Sequence, residues 1–206
     1  MADVEARLEE AALIARCQRG DAAAFDALVR THAHRVFNLA YRMLGSQQDA
    51  EDAAQEAFLR ALSAIRRFRR GAAFSTWLHR ITFNICLDEL KHRRNRPQPF
   101  TSLFTGQGEA HANPCPGFPE LASAGQDPEE IVVRRAAQKE VQQALAALPA
   151  DHRALVVMCD VEGFSYQEAA AALNTRVGTV KSRLHRARQR LRQLLAPQRV
   201  IPKDPP

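Results

Sequence analysis

Aromatic residues are scarce in this chain, 6% of the sequence with a single Trp and two Tyr. Sheets draw on aromatic and β-branched side chains, whereas the alanine, leucine and arginine abundant here favour helix. Cysteine is scarce too. Cys17, Cys86, Cys115 and Cys159 are widely spaced and form no C-x-x-C pair, which argues against a disulfide framework or a zinc site. Cys86 and Cys159 sit in apolar runs and read as core thiols. His111 and Cys115 offer two candidate ligands in a proline-rich stretch, too few for a metal site. No apolar run approaches the ~20 residues of a membrane span. The start, Met1-Ala2-Asp3-Val4-Glu5, is acidic and lacks a signal peptide's basic start and apolar core. A cytoplasmic protein with no metal and no cofactor is expected.

What the chain does carry is positive charge. The formal net charge is +6 over 206 residues, a length for one or two small domains and a charge suited to an acidic partner. Arg176, Lys181, Arg183, Arg186, Arg188, Arg190 and Arg192 follow one another with no acid between them. Before them, Ser165 with Glu168 fits a capping box that starts a helix. Asn174 can adopt a left-handed backbone that ends it, and Thr175 can cap a second helix. Two short helices joined by a tight turn make a helix-turn-helix. In the second helix Val177, Val180, Leu184, Ala187, Leu191 and Leu194 form a buried stripe at steps of three and four. Gly178, Ser182, His185, Arg186 and Gln189 fall opposite, with Lys181 beside them. Arginine and lysine reach guanine edges in the major groove or neutralise phosphates. A solvated arginine-rich surface would carry the same charge; the capped turn favours DNA.

Earlier in the chain, Leu8 to Gln18 reads as an amphipathic helix, and Asp21 caps a second over Ala22 to Leu44. Gly45-Ser46 stops that helix and caps a third, from Gln47 to about Arg66, with Ala50, Ala54, Ala57, Phe58, Ala61, Leu62 and Ile65 as its buried side. Its first turns hold Asp49, Glu51, Asp52 and Glu56 and its end holds Arg60, Arg66 and Arg67. The helix dipole alone would favour that order; a docking face for a basic protein surface is the alternative. A basic loop flanked by aromatics follows, from Arg66 to Phe74, a way to hold a single strand whose bases have left the stack. Ser75 or Thr76 caps a helix from Trp77 to about Arg94, with Trp77, Leu78, Ile81, Ile85, Leu87 and Leu90 on its apolar side and Phe83 largely elsewhere. Trp77 reads as core rather than as a stacking platform. Proline and glycine then forbid regular helix from Pro97 to Pro128. Helices resume with Pro128 at a first position, run to about Leu148, and continue from Arg153 to about Val161.

Taken together these motifs resemble an extracytoplasmic-function sigma factor of bacterial RNA polymerase, in the sigma-70 family. Gly20-Asp21-Ala22-Ala23-Ala24-Phe25 and Asp49-Ala50-Glu51-Asp52-Ala53-Ala54-Gln55-Glu56-Ala57-Phe58 resemble the start and the polymerase-docking segment of sigma region 2. Phe74-Ser75-Thr76-Trp77-Leu78-His79-Arg80-Ile81 with Asn84 resembles the part that engages the −10 element. Leu148-Pro149-Ala150-Asp151-His152-Arg153 and Gly163 to Ala170 resemble region 4, and Gly178 to Arg188 its −35 reader. Arg176 stands where the family usually has proline, and Asn174 replaces the usual turn glycine.

The resemblance implies an all-α fold of two helical domains on a flexible linker. An N-terminal helix over 1–20 would lead into region 2 over 21–96, followed by a linker over 97–127, region 4 over 128–196 and a disordered tail over 197–206. Asp49, Asp52, Gln55 and Glu56 would meet the clamp helices of the polymerase's largest subunit, with the flap as a further partner. Arg66, Arg67, Phe68, Arg69, Arg70 and Phe74 would receive a base flipped from the −10 single strand. His79, Arg80 and Asn84 would face the same DNA, and Lys91, Arg93 and Arg94 would hold backbone. Lys181, Ser182, His185 and Arg186, with Thr179 beside them, would read the −35 duplex, Arg176 and Arg183 favouring phosphate. The implied function is promoter-specific initiation by binding alone, without a catalytic residue, in response to stress and under an anti-sigma factor. Two other functions remain to be weighed. One is a stand-alone helix-turn-helix regulator. The other is a nuclease using Asp88 and Glu89, although adjacent helical carboxylates point about 100° apart and converge poorly on a metal.

Overall fold

The computed structural model describes residues 2–69, 73–95 and 128–196. Every regular element among them is helical. The chain divides into two compact units, Met1–Gln126 and Asp127–Pro206. The linker expected over 97–127, the tail over 197–206, and Arg70, His111 and Cys115 lie outside the described residues.

The first unit holds α1 (Ala2–Gln18), α2 (Ala22–Leu44), α3 (Gln47–Ala64), a 3₁₀ turn (Ile65–Arg67) and α4 (Phe74–Asn95). Asp21 caps α2 as the sequence predicts, its Oδ1 accepting from the Ala24 amide at 3.1 Å. A hydrogen bond from Arg16, with the Ala24 amide, holds the Asp21 carboxyl below its ordinary range. Gly45, at φ 77, ends α2, and its amide reaches the Tyr41 carbonyl at 2.9 Å. Helix α2 packs on α1, α3 and α4, and α3 packs on α4. The inner face of α3 is alanine: Ala50, Ala53, Ala54, Ala57 and Ala61 are buried. Leu28, Leu39, Met43, Leu78 and Phe83 from α2 and α4 supply the bulk of the core.

That division of volume corrects two expectations. Leu62 does not join the buried side of α3; it is 48% exposed and Leu59 is 61% exposed, because the alanine stripe is what touches the neighbours. Phe83 is fully buried although it lies off the apolar stripe of α4, because α2 and α3 both cover that helix. Helix α4 also starts earlier than a cap at Ser75 or Thr76 would place it, the Trp77 amide already reaching the Ala73 carbonyl at 3.1 Å.

The second unit holds α5 (Pro128–Ala146), α6 (Ala150–Val156), a π-helical turn (Val157–Val161), α7 (Tyr166–Ala172) and α8 (Val177–Leu195). Helix α8 packs on α5, α6 and α7 over Leu145, Leu155, Val180 and Leu184. Buried Arg153 donates to the carbonyls of Ala146 at 2.7 Å and Leu148 at 3.4 Å, satisfying the end of α5 with a cation where the helix dipole favours one. Ser165 and Glu168 form the capping box, Ser165 Oγ accepting from the Glu168 amide at 3.2 Å and Glu168 Oε2 accepting from the Ser165 amide at 2.9 Å. Such a cap contributes about 1 kcal/mol. Asn174 takes the expected left-handed backbone, φ 48. Thr175 does not cap α8. Its amide bonds the Ala170 carbonyl at 2.9 Å, and Arg176 holds the cap position without a side-chain bond.

Candidate nucleic-acid interface

On α3 the outward positions Asp52, Gln55, Leu59 and Leu62 recur at steps of three and four, so they share one stripe. Glu56 borders it, accepting from Arg60 Nε at 2.6 Å. Phe58, Leu59, Leu62 and Gln55 line a groove of about 350 Å³ whose other wall is Phe25, Val29 and Ala33 of α2. The stripe is thus acidic at its start and apolar at its end. The apolar half was hidden in the sequence, where Leu62 reads as core; the 52-55-59-62 spacing is the signal that would have found it. Asp49 stands apart. Its Oδ2 pairs with Arg93 Nη2 at 2.7 Å, and Arg93 Nε donates to Glu89 at 2.8 Å. Arg93, paired with Asp49 and Glu89, thus forms a joint between α3 and α4, with Asp49 as its other half.

At the opposite end of the bundle three rings close together. The Phe68 and Phe74 centroids lie 5.7 Å apart, Phe68 and Trp77 5.0 Å, and Phe74 and Trp77 5.5 Å. The His32 ring lies 5.2 Å from Phe74, and its Nε2 meets Glu10 Oε1 of α1 at 2.9 Å. Phe74 is 2% exposed and His79 5%, and Phe68 is buried with them. Burial, then the nearby charges of His32 and Arg35, lowers the His79 pKa to about 4. Phe68, Phe74 and His79 thus seal this end of the core. Arg66, Arg67 and Arg69 are exposed above them. Arg80 and Asn84 are exposed one turn apart on α4, and Lys91 and Arg94 are exposed near its end, Lys91 at 3.4 Å from Asp88.

On α8 the face opposite the core is open. Arg176, Lys181, Ser182, His185 and Arg186 are exposed and Thr179 is half-buried, its carbonyl accepting from Ser182 Oγ at 3.1 Å. The flanks differ from the sequence picture of an unopposed basic run. Arg183 Nη1 lies 3.2 Å from Asp151, and Arg188 makes a two-point pair with Asp160 of the π-helical turn, its Nε at 3.0 Å from Oδ2. That hydrogen bond to Asp160 raises the Arg188 pKa. An exposed pair contributes about 0–1 kcal/mol, so Arg183 can exchange Asp151 for a phosphate at little cost. Asp88 and Glu89 turn to different bases, Lys91 and Arg93, rather than to one point. Among the described residues no group of His, Cys, Asp and Glu is placed to hold a metal, and no helix is long and apolar enough to cross a membrane.

A two-unit, all-helical chain with a capped helix-turn-helix and an open basic face belongs to the class of helical DNA-binding proteins. Comparison with known proteins narrows the class. The sigma-70 region 2 family matches residues 28–96 and the sigma-70 region 4 family residues 138–191. The chain is 42% identical to the ECF RNA polymerase sigma factor SigE of Mycolicibacterium smegmatis over 86% of its own length, spanning 65% of that relative. It is 36% identical to the RNA polymerase sigma-H factor of Pseudomonas aeruginosa, over 90% of this chain and 93% of the relative. Among solved structures, the sigma factor RpoE in complex with the anti-sigma factor NepR from Bartonella quintana matches with a TM-score of 0.62 at 25% identity, over 85% of this chain and 98% of that one. CnrH in complex with the cytosolic domain of CnrY matches with a TM-score of 0.61 at 25% identity, over 91% and 97%. The chain belongs to the sigma-70 family of transcription initiation factors, in its extracytoplasmic-function group.

Proposed function

We propose that this chain binds RNA polymerase core and directs promoter-specific initiation in the cytoplasm, by binding and without covalent chemistry of its own. The acidic-to-apolar stripe Asp52, Gln55, Glu56, Leu59 and Leu62 meets the clamp helices of the largest subunit. Arg66, Arg67 and Arg69 hold the −10 strand around a flipped base, with Arg80, Asn84, Lys91 and Arg94 along it. Unstacking a base costs a few kcal/mol, so recovering that only for the right base gives selectivity. Lys181, Ser182, His185 and Arg186 enter the major groove at −35, with Arg176, Thr179 and Arg183 at its edge. Stress induction and control by an anti-sigma factor complete the reading, the second supported by the anti-sigma factor NepR bound to the related sigma factor RpoE.

The observation that carries the reading is one chain holding both an acid-free open face on α8 and a separate acidic, apolar stripe on α3. A stand-alone DNA regulator needs only the first. The test is transcription with purified core polymerase on a promoter library. RNA should start at fixed positions, and reversing Asp52 and Glu56 to lysine should abolish core binding while DNA affinity through α8 persists. Core binding that survives both reversals overturns the assignment of the stripe; random start positions with the unaltered chain overturn the function.

A further inference from the structure

Gln18 is the last residue of α1, and its carboxamide reaches across the unit to the start of the basic loop. Its Nε2 donates to the Ile65 carbonyl at 3.1 Å and to the Phe68 carbonyl at 2.9 Å. Where the chain leaves helical geometry after the 3₁₀ turn, backbone carbonyls lose their helical partners, and a side-chain amide with two N–H donors can satisfy two of them. The Ile65 carbonyl also takes the Phe68 amide at 3.0 Å, so both groups are bonded in one knot. Gln18 is held in place by its own helix, whose Ile14 and Cys17 are buried in the core. A second, separate contact from the same helix reaches the same place. Glu10 bonds His32, His32 lies on the Phe74 ring, and Phe74 meets Phe68 edge-on. Helix α1 thus fixes the loop's backbone at Ile65–Phe68 and its aromatic floor at Phe74. The region 2 match begins only at residue 28, so Gln18 and Glu10 lie ahead of it.

We propose that Gln18 is a positioning residue for −10 base selection: by anchoring the Ile65 and Phe68 carbonyls it sets where the Arg66 and Arg67 side chains and the Phe68 ring stand. The inference rests on the function proposed above. Its test uses holoenzyme and a promoter whose −10 segment is already unpaired, so strand separation drops out. The readout is the ratio of initiation with the preferred base at the captured position to initiation with a substituted one. Gln18→Glu keeps size but replaces the donors with an oxygen facing carbonyls, and Gln18→Met removes them without charge. Both should lower the ratio about tenfold, the scale of leaving one part-buried acceptor, the Phe68 carbonyl, without its donor. Gln18→Lys, which keeps a donor, should stay within about threefold of the unaltered ratio. Core affinity and −35 discrimination should be unchanged in all three. A base ratio unaltered in Gln18→Glu and Gln18→Met overturns the inference, as does a loss that merely tracks core affinity. If the unaltered holoenzyme starts RNA at no fixed position, the sigma function itself fails and the inference with it.

Discussion

His79 sits buried beside the aromatic cluster with its pKa lowered from 6.5 to about 4, and this makes acid stability a residue-scale property. As pH falls through 6.5 the unfolded chain takes a proton that the folded one refuses, so stability drops until the folded imidazole titrates near 4. Each pH unit in that window costs about 1.4 kcal/mol per proton, so roughly 2 kcal/mol is lost by pH 5. His32, whose pKa burial also lowers, adds loss of the same sign. Thermal melts should show the midpoint falling by about 10 °C between pH 7 and pH 5, and by well under half as much for His79→Leu. Equal acid shifts in both proteins would remove His79 as the cause. The resemblance placed His79, Phe68 and Phe74 at the −10 strand, and their burial is what the sequence left unread. Which neighbour covers a residue depends on how α4 is embedded between α2 and α3, and periodicity along one helix does not report it. Arg188 shows the same limit: its partner Asp160 lies 28 residues away, so a count of local charge leaves the run looking unopposed.

At the scale of the element, several caps and stops were legible because each is local chemistry, although Thr175 does not cap α8 and neither Ser75 nor Thr76 starts α4. Asp21 and Gly45 bound α2 at the residues the sequence marks, and the Ser165–Glu168 box does the same for α7. The apolar half of the outer face of α3 was not legible, since an alanine stripe and a leucine stripe both repeat every three to four residues and the larger side chains look like core. Leu59 and Leu62 instead stand out beside Asp52 and Gln55, one wall of an apolar groove. Covering a leucine fully is worth about 1.5–3 kcal/mol. Leu59→Asp should therefore weaken core-polymerase binding by tenfold or more, while the melting temperature of the free protein moves little because an exposed position rarely changes stability by more than about 0.5 kcal/mol. Binding assays paired with thermal melts separate the two. A large fall in melting temperature would mean that Leu59 is core after all, and unchanged binding would mean that only the acids of the stripe engage polymerase.

For the molecule as a whole, the division of labour sits in the two units. Net charge of +6 suits DNA, yet acids gather on α3 of the first unit and the open basic face lies on α8 of the second. With the first unit on polymerase and the second on the −35 duplex, covalent connection makes the second binding step intramolecular. That raises effective concentration by a factor that commonly reaches 10²–10⁴ in avidity, whatever path the intervening residues take. Polypeptides spanning 1–96 and 128–206, each checked for helix by circular dichroism and then mixed, should therefore bind core through the first fragment. They should also support initiation on a pre-melted −10 template. The same mixture should lose at least about a hundredfold in −35-dependent initiation on duplex promoter at micromolar concentrations, and recover as the second fragment is raised toward millimolar. Full −35 dependence at micromolar fragment would show that the second unit is held by polymerase itself rather than by its own chain. No recovery at any concentration, with both fragments folded, would show that the connection does more than raise effective concentration.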